Sequence, residues 1–224
     1  TGELALGQAV ARQAELEMET PRLGLPLRGS LRLGAQELAA GGITWNKIAL
    51  EAAAGAEGTR LALAGQGPQL AVSLKAAGAG AAELPLRLQV AELRLAPHGQ
   101  KPWNLREPAQ MQLAADGLWL KGLVLAQAEQ TLAVEGQATL GGALSASLRL
   151  AKLRLAAWLP PRLMPPEASL DVEASLGGSL AEPRLELSGR LGGLVWPRLP
   201  ASEVRFQGSY DDGELAVTGQ ALTQ

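Results

Sequence analysis

The chain has no cysteine and only one histidine, one phenylalanine and one tyrosine in 224 residues. Without thiols there can be no disulfide scaffold, thiolate metal site or cysteine nucleophile. A lone histidine, His98, cannot build a histidine metal cluster. The net charge of −2, from 20 basic and 22 acidic residues spread along the chain, supplies none of the basic field that nucleic acid requires, so no nucleic-acid partner is expected. No apolar run approaches the roughly 20 residues of a membrane-spanning helix. The start, Thr1-Gly2-Glu3-Leu4, is neither a methionine nor a signal peptide, which suggests an excised piece whose targeting or anchoring segment lies outside it.

What remains is aliphatic. Leucine occurs 44 times, and a composition of 47% apolar with 19% charged residues is globular rather than disordered. Leucine and alanine favour helix by propensity, but the pattern contradicts them. Leu84, Leu86, Leu88 and Val90 alternate with Pro85, Arg87 and Gln89, which is strand spacing. The alternation returns at Leu70-Val72-Leu74, Leu118-Leu120, Leu132-Val134, Leu144-Leu148-Leu150, Leu170-Val172-Leu176, Leu185-Leu187, Val204-Phe206 and Leu215-Val217. Charged or polar residues stand between: Asp171 and Glu173; Arg184, Glu186 and Ser188; Glu203, Arg205 and Gln207. One face of each strand is apolar and the other wet, as in an antiparallel sheet.

Glycines interrupt the chain too often to leave much room for helices. Asp211-Asp212-Gly213 and Leu140-Gly141-Gly142-Ala143 have hairpin-turn chemistry. Two stretches stay open. Residues 9–19 read as helix or strand, and Pro160 to Glu167 as a loop or single turn set by its proline pairs. A weak internal repeat links Leu86-Arg87-Leu88-Gln89-Val90-Ala91-Glu92-Leu93-Arg94-Leu95 with Leu148-Arg149-Leu150-Ala151-Lys152-Leu153-Arg154-Leu155. In both, leucine parity slips by one residue partway along, which predicts a strand that ends or kinks there, by a bulge or a loop. No linker divides the chain, so residues 1–224 read as one repeating segment.

Catalytic equipment is missing. His98, in Ala96-Pro97-His98-Gly99-Gln100, reads as an exposed loop histidine. Asp211 and Asp212 read as a turn cap, since a calcium site needs more oxygen ligands at defined spacing. The glycine pairs lack the Lys-Ser/Thr of a phosphate loop. The expectation is a protein that is not an enzyme and holds neither metal nor cofactor. Trp45, Trp103, Trp119, Trp158 and Trp196 are dispersed and read as core plugs or strand-end anchors. An aliphatic face of this kind suits either the core of a sandwich or the lining of a groove for acyl chains, and periodicity does not separate the two.

From about Leu84 onward the order of features resembles the TamB family, the inner-membrane-anchored component of the translocation and assembly module of Gram-negative bacteria. Trp103-Asn104-Leu105-Arg106-Glu107-Pro108-Ala109 is similar to that family's W-x-L-x-x-P-A segment. Asp116-Gly117-Leu118-Trp119-Leu120, Val134-Glu135-Gly136-Gln137, the step Trp158-Leu159-Pro160-Pro161, and Leu180-Ala181-Glu182-Pro183-Arg184-Leu185-Glu186-Leu187 follow in order. The last is similar to the family's G-x-L-x-x-P-x-L-x-L step, with Gly178 before Leu180. Residues 23–75 share the style less specifically, with Leu31-Arg32-Leu33 and Gly42-Ile43-Thr44-Trp45. Family members often carry a cysteine pair where Leu123-Val124-Leu125 and Leu132-Ala133-Val134 stand here.

The resemblance implies an all-β fold: an elongated antiparallel sheet of about 16 repeated strands, curled into a U-shaped hydrophobic groove of the AsmA-like type. It implies a groove lined by Leu84, Leu86, Leu88, Val90, Leu118, Leu120, Leu132, Val134, Leu148, Leu150, Leu170, Val172, Leu185, Leu187, Val204, Phe206, Leu215 and Val217. It further implies a segment of a periplasmic, envelope-spanning conduit for phospholipid acyl chains, attached to an inner-membrane-anchored protein and working with an outer-membrane barrel partner. A chaperone that receives outer-membrane β-barrel or autotransporter strands by strand addition is the alternative, and a β-sandwich adhesin the third reading.

Overall fold

The computed structural model describes residues 2–6, 9–22, 28–40, 43–79, 84–155, 167–179, 182–196, 199–211 and 213–223. The chain is all-β and antiparallel, and the described residues contain no α-helix. It divides into two compact units, residues 1–115 and 116–224.

The first unit holds β1 (Gly2–Leu6), β2 (Ala9–Arg22), β3 (Arg28–Ala40), β4 (Ile43–Gly55), β5 (Gly58–Gln66), β6 (Leu70–Gly78), β7 (Leu86–Pro97), β8 (Trp103–Leu105) and β9 (Ala109–Ala114). Strands β1 to β7 pair in sequence order, and β8 and β9 both pair with β7. The ambiguous stretch 9–19 is therefore strand, despite its Ala, Leu and Glu content. Ala14, Leu16 and Met18 stand opposite Ala35, Leu33 and Leu31, and cross-strand pairing of this kind outweighs intrinsic propensity.

The second unit holds β10 (Gly117–Gln127), β11 (Gln130–Thr139), β12 (Leu144–Arg154), β13 (Ser169–Gly178), β14 (Pro183–Trp196), β15 (Leu199–Asp211) and β16 (Glu214–Thr223), again paired in order. Both expected hairpins form. Thr139 and Ala143 close the first through Thr139 N donating to Ala143 O at 2.8 Å, with Gly142 at φ +88° where a side chain would be strained. Asp211 and Glu214 close the second. Of the proline-rich stretch Pro160 to Glu167, only Glu167 lies within the described residues.

Both predicted parity slips are β-bulges within continuous strands. In β7, Lys75 faces Glu92 while Ala76 faces Val90, so Ala91 is the extra residue. In β12, Leu150 faces Val172 while Leu153 faces Leu170, and Lys152 takes φ +56°. Bulging keeps Leu93 and Leu95 on the side of Leu88 and Val90, and Leu153 on the side of Leu150.

Candidate functional site

Residues opposite each other in an antiparallel pair share a face, so the registers assign every strand residue to a side. In the second unit one face carries three cross-strand rows. One runs Leu125, Leu132, Leu150, Val172, Gly189, Phe206. The next runs Leu123, Val134, Leu148, Ala174, Leu187, Gly208, Val217, and the third Leu120, Gly136, Ala146, Leu176, Leu185, Tyr210, Leu215. Leu118 extends this face beyond Leu120. Leu170 and Val204, joined through Leu191, extend it on the other side. All fourteen predicted lining residues between Leu118 and Val217 thus stand on one face.

In the first unit Leu86, Leu88 and Val90 face Leu113, Met111 and Ala109. Leu88 and Val90 are buried, Val90 to 1% exposure, whereas Leu84 lies in a bend before the strand and is 45% exposed. The alternation therefore starts at Leu86.

Sequence reasoning missed two groups on these faces. Leu123 and Leu125 were hidden by a further slip, in which Leu120 faces Gly136 but Leu123 faces Val134, with Gly122 at φ +70° between them. A three-residue step from leucine to leucine across a glycine is the signal that finds it. The second group is a row of six leucines across the first unit: Leu16, Leu33, Leu50, Leu63, Leu74 and Leu93. It becomes visible only once six strands are in register.

Two large rings are seated over glycines on the apolar faces. Trp45 lies over Gly65, where a Cβ would come within 2.8 Å of its ring, and Phe206 covers Gly189. Trp103 is buried opposite Leu95. Trp119 is half-buried, Trp158 lies outside the described residues, and nothing is described of the Trp196 side chain. His98 is exposed, its amide donating to Gln69 O at 2.9 Å.

The opposite faces are polar and cross-linked by ion pairs. In the first unit Arg32 lies 3.7 Å from Glu17 and 3.8 Å from Glu51, and Lys75 lies 2.8 Å from Glu92. In the second, Arg149 meets Glu173 at 2.8 Å, Arg184 meets Asp211 at 3.1 Å, and Arg190 meets Asp171 at 3.0 Å and Glu203 at 3.8 Å. Open furrows run between these polar rows. One of them, about 820 Å³, passes between Ser147, Ser175, Glu186 and Ser209 on one side and Arg149, Glu173, Ser188 and Gln207 on the other.

Three acidic residues face the bulges of alternate strands. The Glu135 carboxylate accepts from the Gly122 amide at 3.3 Å, and Asp171 accepts from the Lys152 amide at 2.8 Å. Glu203 takes the same register opposite the β14 bulge, between Ser202 and Val204, and there accepts from Arg205. Burial pushes the Asp171 carboxyl up. Hydrogen bonds from the Lys152 amide and Arg190, together with both positive charges, outweigh that and hold it below its ordinary value.

Among the described residues no group of three His, Asp or Glu side chains is placed to hold a metal ion. No family model matches the chain, nor does any curated protein or solved structure.

Proposed function

We propose that this chain is a segment of a phospholipid conduit, in which acyl chains lie against the apolar sheet faces and pass along them from strand to strand. The observation that carries the reading is the pairing of a broad aliphatic face with an ion-paired polar back. Within each unit every described strand belongs to a single sheet, so no second sheet of described strands in the unit is stacked as a cover on its apolar face. A sandwich would supply such a cover. Leu148, Leu215 and Val217 are 37%, 66% and 60% exposed, and burial of an acyl chain against such side chains contributes about 0.8 kcal/mol per CH₂. The resemblance to the TamB family supplies the setting of the proposal: the periplasm, an inner-membrane-anchored parent protein and an outer-membrane barrel partner.

The test is native mass spectrometry of the purified chain after exposure to phospholipid vesicles. Bound phospholipid is expected, and Leu150→Arg, Val172→Arg or Leu187→Asp should reduce it at least severalfold once circular dichroism has confirmed folding. Arg149→Ser should leave it unchanged. A folded chain that takes up no phospholipid, or whose uptake ignores the charged substitutions, would overturn the reading.

A further inference from the structure

Trp45 and Trp103 are seated among apolar residues, but Trp119 is not. In β10 it stands between Leu118 and Leu120, which take the apolar face, and opposite Gln137 of β11, so its ring lies on the polar back of the second unit. There it is half-buried and lines an open furrow of about 760 Å³. A large ring left partly exposed on a face otherwise given to Ser, Gln, Glu and Arg has no part in the apolar packing, and asks for another use.

Beside Trp119 the furrow is lined by Gln137, Ser147, Ser175, Arg184 and Glu186. Ser147, Ser175 and Glu186 stand opposite one another on β12, β13 and β14, so their polar tips follow at the strand spacing of about 4.8 Å. Among the described residues, the side chains of Gln137, Ser147, Ser175 and Glu186 make no hydrogen bond or ion pair within the protein. The charges along the furrow, Lys121 and Arg184 against Glu135 and Glu186, cancel, and so favour neither a polyanion nor a polycation. An aromatic plane beside a row of open donors and acceptors, without net charge, suits a neutral sugar chain. The ring packs against the C–H face of one pyranose, while hydroxyl, amide and carboxylate groups bond the sugar hydroxyls. An extended peptide fits less well, because its groups on one side repeat at about 6.8 Å and the sheet's own N–H and C=O groups are engaged in the ladder. In a β-1,4-linked glycan the advance per sugar is close to the strand spacing, so successive sugars meet successive strands. We infer that this furrow binds a neutral β-1,4-linked glycan, with Trp119 as its stacking platform. The inference concerns the polar back and stands apart from the lipid reading, which concerns the opposite face.

Chitohexaose and cellohexaose are the probes, titrated calorimetrically into the purified chain. At least one should bind, and the disaccharide of the same sugar should bind about tenfold more weakly or less, since it spans fewer strands. Trp119→Ala should weaken binding by about tenfold or more, as loss of a tryptophan anchor does. Trp119→Phe should weaken it less, because a smaller ring still stacks. Ser175→Val, which removes a hydroxyl from the middle of the row, should weaken it about threefold or more. All three variants should keep the dichroism spectrum of the wild type. Failure of both hexasaccharides to bind would overturn the inference, as would an affinity indifferent to Trp119→Ala and Ser175→Val. Binding of choline but of neither glycan would also overturn it, by making Trp119 a cation site instead.

Discussion

The central apolar row of the first unit is six leucines, Leu16 to Leu93, whereas that of the second runs Leu125, Leu132, Leu150, Val172, Gly189 and Phe206. Both obey the same period-two rule, but they fill space differently. A row of one residue type is uniform along its length, with each side chain meeting its own kind. In the second unit, volume is traded between neighbours: glycine leaves the space that Phe206 occupies. The first unit makes such a trade at its margin, where Gly65 accommodates Trp45. Alternation alone therefore builds an apolar face, while a specific fit requires matched large and small residues on neighbouring strands.

The largest effect is expected where the face is buried. Leu88→Asp should cost about 3 kcal/mol or more, or prevent folding, because it places a charge at a position only 6% exposed. Arg87→Ser, one residue away on the polar side, should stay within about 0.5 kcal/mol. Urea denaturation checks both, and equal sensitivity at the two positions would mean that the register of β7 is wrong.

Glycine substitutions sharpen the contrast between uniform and matched rows. Gly189→Ala should destabilise by about 1–3 kcal/mol, since the new Cβ collides with the Phe206 ring and comes within 2.7 Å of Asp171 O. Gly65→Ala should behave similarly against Trp45 and Val72. Gly34→Ala and Gly177→Ala meet nothing within 4 Å, and should be neutral or stabilising by up to about 1 kcal/mol. Thermal melts of the four variants separate the two classes.

How much of this was legible beforehand differs from feature to feature. Strands could be read from Leu86-x-Leu88-x-Val90 and its recurrences because the period of side-chain direction is a property of a single strand. The slips after Val90 and Leu150 were legible for the same reason. The partnership of Gly189 with Phe206 was not, because it belongs to the register between β14 and β15 and leaves no trace in either segment alone. Residues 9–19 stayed ambiguous because alanine, leucine and glutamate favour helix until a neighbouring strand pairs with them. The carboxylates opposite the bulges were also illegible, since Glu135, Asp171 and Glu203 look in sequence like any other wet-face residue.

Those carboxylates yield the smaller predictions. Asp171→Asn should cost about 1–2 kcal/mol at neutral pH by weakening the hydrogen bonds from the Lys152 amide and Arg190. Because the folded carboxyl titrates below its unfolded value, its stabilisation is complete above the ordinary carboxyl range near pH 4. It is lost as pH falls toward the lower folded value. The wild-type advantage over Asp171→Asn should therefore shrink in denaturation series carried from pH 5 toward pH 3, and an advantage constant across that range would contradict the assignment. Lys152→Gly should be stabilising by about 1 kcal/mol, since glycine takes φ +56° without the steric penalty. The exposed Lys152–Glu129 pair, at 3.6 Å, is a small loss beside that.

The most direct test of the account compares the two faces of the second unit by site-specific photocrosslinking in cells. Probes at Leu120, Val134, Leu150, Val172 and Leu187 stand on the apolar face, and probes at Arg149, Glu173 and Ser188 stand behind it. Phospholipid adducts are expected at all five apolar positions and none at the three polar ones. Adducts that are only protein, or lipid adducts distributed equally over both faces, would contradict the conduit.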